Sequence, residues 1–160
     1  MIGVIDYGMG NLGSVANALA FLGAPARVLR GPEELADCHA LILPGVGAFG
    51  DCMDHLHNHG YVEPLQSWMA AARPLLGICL GLPVLAESSA ESPGGAGFGV
   101  VASPVVKFEP DVELKVPQIG WNRVKQVAGR DCPRFRGIPD GSYFYFVHSF
   151  YLARAGEWAA

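Results

Sequence analysis

The chain has 160 residues, 51% of them hydrophobic, and a formal charge of −4 from 11 Lys+Arg against 15 Asp+Glu. That length suits one domain, spanning 1–160, with room for a buried core. The acidic balance without a basic cluster speaks against nucleic acid or an anionic membrane as partner. The opening Met1-Ile2-Gly3-Val4-Ile5-Asp6 lacks the basic start of a signal peptide. The longest uncharged stretch, Tyr7 to Ala26, is too broken by glycine, asparagine and proline to span a bilayer. Four cysteines (Cys38, Cys52, Cys79, Cys132) lie far apart with no C-x-x-C pair. They read as reduced thiols of a cytoplasmic protein, not as a disulfide or zinc framework.

In chain order, Ile2 to Ile5 is a short apolar strand followed by the glycine cluster Gly8, Gly10, Gly13. A helical pattern continues through Val15, Leu19 and Leu22 to a C-capping Gly23. Ala26 to Leu29 and His39 to Leu43 read as strands, Ala48 to His59 and Val62 to Ala72 as helices, and Leu75 to Ile78 as a fourth strand. Such alternation predicts an α/β fold, a mostly parallel open sheet with helices on both faces. Past Leu82 to Ala86, which has helix-like composition, comes a glycine-rich loop from Ser92 to Gly97. The second half is β-rich: Val105 to Phe108, Gly120 to Val127 and Tyr143 to Tyr151, with a turn at Ile138 to Gly141. Ligands of open α/β sheets bind at the carboxyl ends of the strands. Asp6 to Asn11, Pro44 to Phe49 and the segment around Cys79 are therefore expected to converge.

Gly77-Ile78-Cys79-Leu80-Gly81 is the cysteine form of a nucleophile elbow, a strand running into a sharp turn that lifts the nucleophile out of the sheet. A helix starting at Leu82 would place the sulfur at a helix N-terminus and favour thiolate. The N–H of Leu80, next after the nucleophile, is the expected oxyanion donor. The plain alternative is a small buried cysteine. On residue type alone, His148 qualifies as a general base for Cys79. His55, His57 and His59 alternate, but helical spacing splays them around the axis; a solvated helix end is expected there and no metal site.

Several segments together resemble the class I (triad-type) glutamine amidotransferases, and within that class the glutaminase subunits of imidazole glycerol phosphate synthases. They are Asp6-Tyr7-Gly8-Met9-Gly10-Asn11-Leu12, Pro44-Gly45-Val46-Gly47-Ala48-Phe49, the elbow, Pro117-Gln118-Ile119-Gly120-Trp121-Asn122 and Tyr145-Phe146-Val147-His148-Ser149-Phe150. The likeness runs along nearly the whole chain. It implies that Cys79 attacks the side-chain amide of glutamine, with oxyanion donors at Leu80 and at the Val46–Gly47 turn. Gly45 and Gly47 would let that turn's peptide flip into and out of a donating orientation. It further implies that Gly45, Gly47, His148, Ser149 and Phe150 contact glutamine, so that His148 is not the catalytic base. Asn11, Trp121, Asn122 and Tyr145 would face a (β/α)8-barrel cyclase, the partner in a heterodimer that consumes the ammonia. No metal or organic cofactor is implied.

Two departures stand out. Pro83 occupies a place where the family usually has glutamine, so weaker substrate binding is expected. No His-x-Glu, the segment that completes the family's triad, occurs in these 160 residues. That predicts a domain lacking its C-terminal segment, with an unpaired sheet edge and little glutaminase activity of its own. The competing readings are a related glutaminase such as that of pyridoxal phosphate synthesis, a catalytically inactive docking module, and a peptidase-like cysteine hydrolase. The G-W-N and F-V-H-S segments weigh against the first.

Overall fold

The computed structural model describes residues 1–110, 115–129 and 132–154. The final Gly156 to Ala160 thus lies outside the described residues. Strand β1 (Ile2–Ile5) leads to helix α1 (Leu12–Phe21), β2 (Ala26–Leu29), β3 (Ala40–Gly45), α2 (Phe49–Asn58), α3 (Val62–Ala70) and β4 (Leu75–Cys79). These strands form one parallel sheet in the order β2-β1-β3-β4. The predicted parallel sheet is therefore present, and its first four strands fall where the apolar runs placed them.

Alternation along each strand divides the core between the two faces. Ile5, Leu41 and Leu43 point into the larger cluster with Phe49, Cys52 and Leu56 of α2 and Leu65 and Trp68 of α3. Val4 and Ile42 point the other way, onto Leu19 of α1. Helices thus cover both faces, as a parallel sheet requires. Gly23, at φ +66°, follows the end of α1 in the left-handed conformation expected of its C-cap.

The second half departs further from expectation. Leu82 to Ala86 does not become an α-helix; only a single 3₁₀ turn, Pro83–Leu85, follows the elbow. Pro83 opens that turn, where its missing N–H costs nothing, and Ala86 N–H closes it on the Pro83 carbonyl. The chain then folds on itself, bridging Ala86 to Val101 and Ser89 to Val105. The expected strand Tyr143 to Tyr151 is two strands, β7 (Tyr143–His148) and β8 (Phe150–Leu152), divided at Ser149. β8 pairs antiparallel with β5 (Val105–Lys107), and β7 with β6 (Gln118–Arg123), which begins and ends before the predicted Gly120 to Val127. Ser149 lies between the two pairs, its carbonyl accepting from Phe108 N–H just past β5. Among the described residues no helix is long and apolar enough to cross a membrane.

Candidate active site

Cys79 ends β4 with φ +55°, a left-handed conformation that a residue with a side chain adopts only under constraint. The constraint comes from its neighbours. A Cβ at Gly81 would fall on the Leu43 carbonyl oxygen, and one at Gly77 would strike the backbone of Gly81 and Leu82. The chain can double back this tightly only with glycine at both places. Gly81 N–H bonds the Ile78 carbonyl at 3.0 Å and Leu82 N–H the Cys79 carbonyl at 3.1 Å, closing the elbow. Its product is an exposed Cys79, whereas Cys38 and Cys52 are buried. No helix N-terminus favours the thiolate, contrary to expectation, since the three-residue turn after the elbow has no macrodipole to offer.

Opposite Cys79 in the parallel register lies Gly45, the last residue of β3. Beyond it the chain turns through an exposed Val46 and through Gly47 at φ +99° into α2. The N–H groups of Val46 and Gly47 are taken by no acceptor among the described residues. Unengaged donors just past the end of β3, beside an exposed thiol on the adjacent strand, are what a developing oxyanion needs. The thiol itself makes no side-chain hydrogen bond among the described residues, to histidine or to anything else.

The predicted convergence of three loops holds. Tyr7, wholly buried, donates its hydroxyl to the Pro44 carbonyl at 2.7 Å. Gly10 packs on the Pro44 ring, and a Cβ at Gly47 would meet the Met9 methyl at 2.9 Å. Burial drives the Tyr7 phenol well above its ordinary pKa, with the neighbouring Cys52 thiol adding to the rise. Burial likewise pushes Cys52 up to about 11.

The histidines on α2 are more than a solvated helix end. His55 Nδ1 lies 3.0 Å from the Tyr7 carbonyl and stacks on His59 at 5.9 Å, so the helix end is tied to the Asp6 to Asn11 loop. No group of metal-ligating side chains occurs among the described residues.

The remaining expected residues divide. His148 is half-buried, with Nδ1 2.8 Å from the Phe150 carbonyl and its ring edge-on to Phe108. Among the described residues no hydrogen bond joins His148, Ser149 or Phe150 to the elbow or to the Val46–Gly47 turn. On the β6–β7 hairpin, Ile119, Trp121, Tyr145 and Val147 share one exposed face, with Trp121 packed edge-on to Tyr145. Asn122 pairs with Phe144 on the reverse face, so it does not stand beside Trp121 and Tyr145. Asn11 caps α1, its side chain accepting from Ser14 N–H at 3.1 Å.

Two residues at the site escaped notice in the sequence. Tyr7 is one letter of the D-Y-G-M-G-N motif, and Glu91 belongs to no motif. The Glu91 carboxylate accepts from Phe49 N–H, the first residue of α2, at 2.9 Å. One signal was available: α2 starts after Ala48, which has no capping side chain, so its acceptor had to come from elsewhere.

A cysteine lifted out of a strand end beside unengaged N–H donors, on a parallel sheet, is the arrangement that cysteine-dependent acyl transfer needs. The model of the family "Glutamine amidotransferase class-I" matches residues 3–158. The imidazole glycerol phosphate synthase subunit HisH of Desulfitobacterium hafniense is 48% identical over 96% of this chain and 71% of its own length. The HisH subunit of Methanosarcina mazei is 47% identical over 96% of this chain and 74% of its own. A crystal structure described as a glutamine amidotransferase superposes with a TM-score of 0.74 at 21% identity, covering 98% of this chain and 75% of that one, which supports the fold. The chain belongs to the class I glutamine amidotransferases.

Proposed function

We infer that this chain is the glutaminase subunit of an imidazole glycerol phosphate synthase. The observation that carries the reading is the pairing of Cys79, held at φ +55°, with Gly45 and the free N–H groups of the Val46–Gly47 turn. Relatives at 42–48% identity bear that subunit's name, which supports the particular pathway.

The chemistry follows from the geometry. The Cys79 thiolate adds to the side-chain amide carbon of glutamine, and the carbonyl oxygen becomes an oxyanion facing Leu80, Val46 and Gly47 N–H. The amide nitrogen gains a proton and leaves as ammonia, giving a glutamyl thioester; water then releases glutamate and restores the thiol. Family likeness assigns glutamine contacts to Gly45, Gly47, His148, Ser149 and Phe150. The outward face around Trp121 and Tyr145 is the surface that a cyclase barrel would cover, in a cytoplasmic heterodimer that takes up the ammonia. No histidine bonds the Cys79 thiol in the described residues, and no His-x-Glu occurs in the chain. These 160 residues alone should therefore turn over glutamine slower by about 10³-fold or more than an enzyme with a working base. Pro83, having no amide side chain, should weaken glutamine binding further.

The test is labelling by 6-diazo-5-oxo-L-norleucine, a glutamine-shaped electrophile, followed by peptide mapping. Modification confined to Cys79, and absent in Cys79→Ala, is expected. Equal modification of Cys132, or labelling that persists in the variant, would refute the assignment.

A further inference from the structure

The turn that supplies the oxyanion donors is free only in its middle. At its start, the Pro44 carbonyl receives the Tyr7 hydroxyl at 2.7 Å. That hydroxyl also stands 2.9 Å from where a Gly45 Cβ would be, against the flank of the residue in register with Cys79. At its end, Phe49 N–H is held by the Glu91 carboxylate at 2.9 Å, and Ser92 lies against Gly50. Tyr7 comes from the loop after β1 and is itself fixed by Cys52 of α2, Sγ to hydroxyl 3.2 Å, and by His55 on its carbonyl. Glu91 comes from the segment after the elbow. Between these two fastenings lie Val46 and Gly47, whose N–H groups no acceptor engages.

We propose that Tyr7 and Glu91 are positioning residues that clamp the two ends of the Pro44–Phe49 turn, so that only the Val46–Gly47 peptide can reorient toward the substrate oxygen. The proposal rests on the reading of Cys79 as a glutaminase nucleophile. Neither residue touches substrate in it; each acts through the backbone it holds. The two fastenings differ in kind. Tyr7 is buried, and its bond is made in a dry environment where losing it leaves the Pro44 carbonyl without its partner. Glu91 is exposed, but it faces the first N–H of a ten-residue helix, where a carboxylate is favoured. An error of about 1 Å in the placement of catalytic groups can cost about 10² in rate. Loss of one oxyanion donor costs about 10²–10³.

The experiment compares two alkylating agents on the purified chain. With 6-diazo-5-oxo-L-norleucine the Cys79 sulfur displaces dinitrogen from the protonated diazomethyl carbon, leaving a thioether and placing the keto oxygen where the amide oxygen of glutamine would sit. Iodoacetamide reads only exposure and reactivity of the thiol. Tyr7→Phe keeps the ring and removes the hydroxyl; Glu91→Ala removes the carboxylate and Glu91→Gln keeps an acceptor. Tyr7→Phe and Glu91→Ala should slow the diazoketone by about 10–10²-fold with an unchanged iodoacetamide rate, and Glu91→Gln should restore most of the loss. Unaltered diazoketone rates in Tyr7→Phe and Glu91→Ala, or equal slowing of both reagents, would overturn the clamp. A parent chain whose Cys79 shows no preference for the diazoketone would overturn the glutaminase reading, and the clamp with it.

Discussion

One methyl group at position 81 probes how closely the elbow is drawn. The Cβ of Gly81→Ala would sit on the Leu43 carbonyl oxygen, which belongs to a buried strand and has nowhere to go. The variant should lose about 1–3 kcal/mol of stability in urea unfolding, the scale of overpacking in a well-packed core. A second consequence at this scale concerns pH. Burial holds the Cys52 thiol protonated up to about 11 against an ordinary 9.0, and the Tyr61 phenol up to about 12 against 10.0; Tyr7 shifts in the same direction. The unfolded chain surrenders these protons first. Their contribution is complete below about pH 9 and drains away as pH rises toward 11–12. The urea midpoint should therefore fall across that window, and Cys52→Ala should flatten the lower part of the fall.

At the level of elements, the clearest separation is between what holds α1 and what the β6–β7 hairpin displays. Asn11 accepts from Ser14 N–H, so Asn11→Ala should cost about 1 kcal/mol of stability, measured by thermal or urea unfolding. Trp121 is 67% exposed and packs edge-on to Tyr145 across the β6–β7 pair. Trp121→Ala should leave stability within about 0.5 kcal/mol, yet weaken binding to a cyclase by about 2 kcal/mol or more in calorimetric titration. The elements were unequally legible in the sequence. β1 to β4 are short, mostly apolar runs set between turn signals, so Ile2–Ile5 and Ala26–Leu29 fell where expected. The turn after the elbow did not, because Leu82 to Ala86 looks helical by composition while Pro83 opens no more than one 3₁₀ turn. Nor could apolar character reveal the break at Ser149, which exists because two different partner strands claim its two sides. The elbow cysteine and its glycines were readable from spacing. Tyr7 and Glu91 were not, since their partners lie 37 and 42 residues away and only the folded sheet brings them together.

For the whole molecule, the parallel sheet sets the end of β3 and the end of β4 side by side, about 4.8 Å apart across the ladder. Cys79 and the Val46–Gly47 turn are thereby presented on adjacent strands without any flexible arm. The same sheet leaves β4 at its margin among the described strands, with Leu76 and Ile78 partly exposed. Exposed apolar strand margins promote edge-to-edge association, so sedimentation of the chain should depend on concentration, and Leu76→Lys should lessen that dependence. The central claim, however, is that Cys79 lies in a pocket that recognises glutamine. Its most direct test is the rate of Cys79 alkylation by iodoacetamide as L-glutamine is added, with D-glutamine as the control. Saturable protection by L-glutamine and none by D-glutamine is the predicted result. Identical rates with L-glutamine, D-glutamine and buffer alone would contradict it.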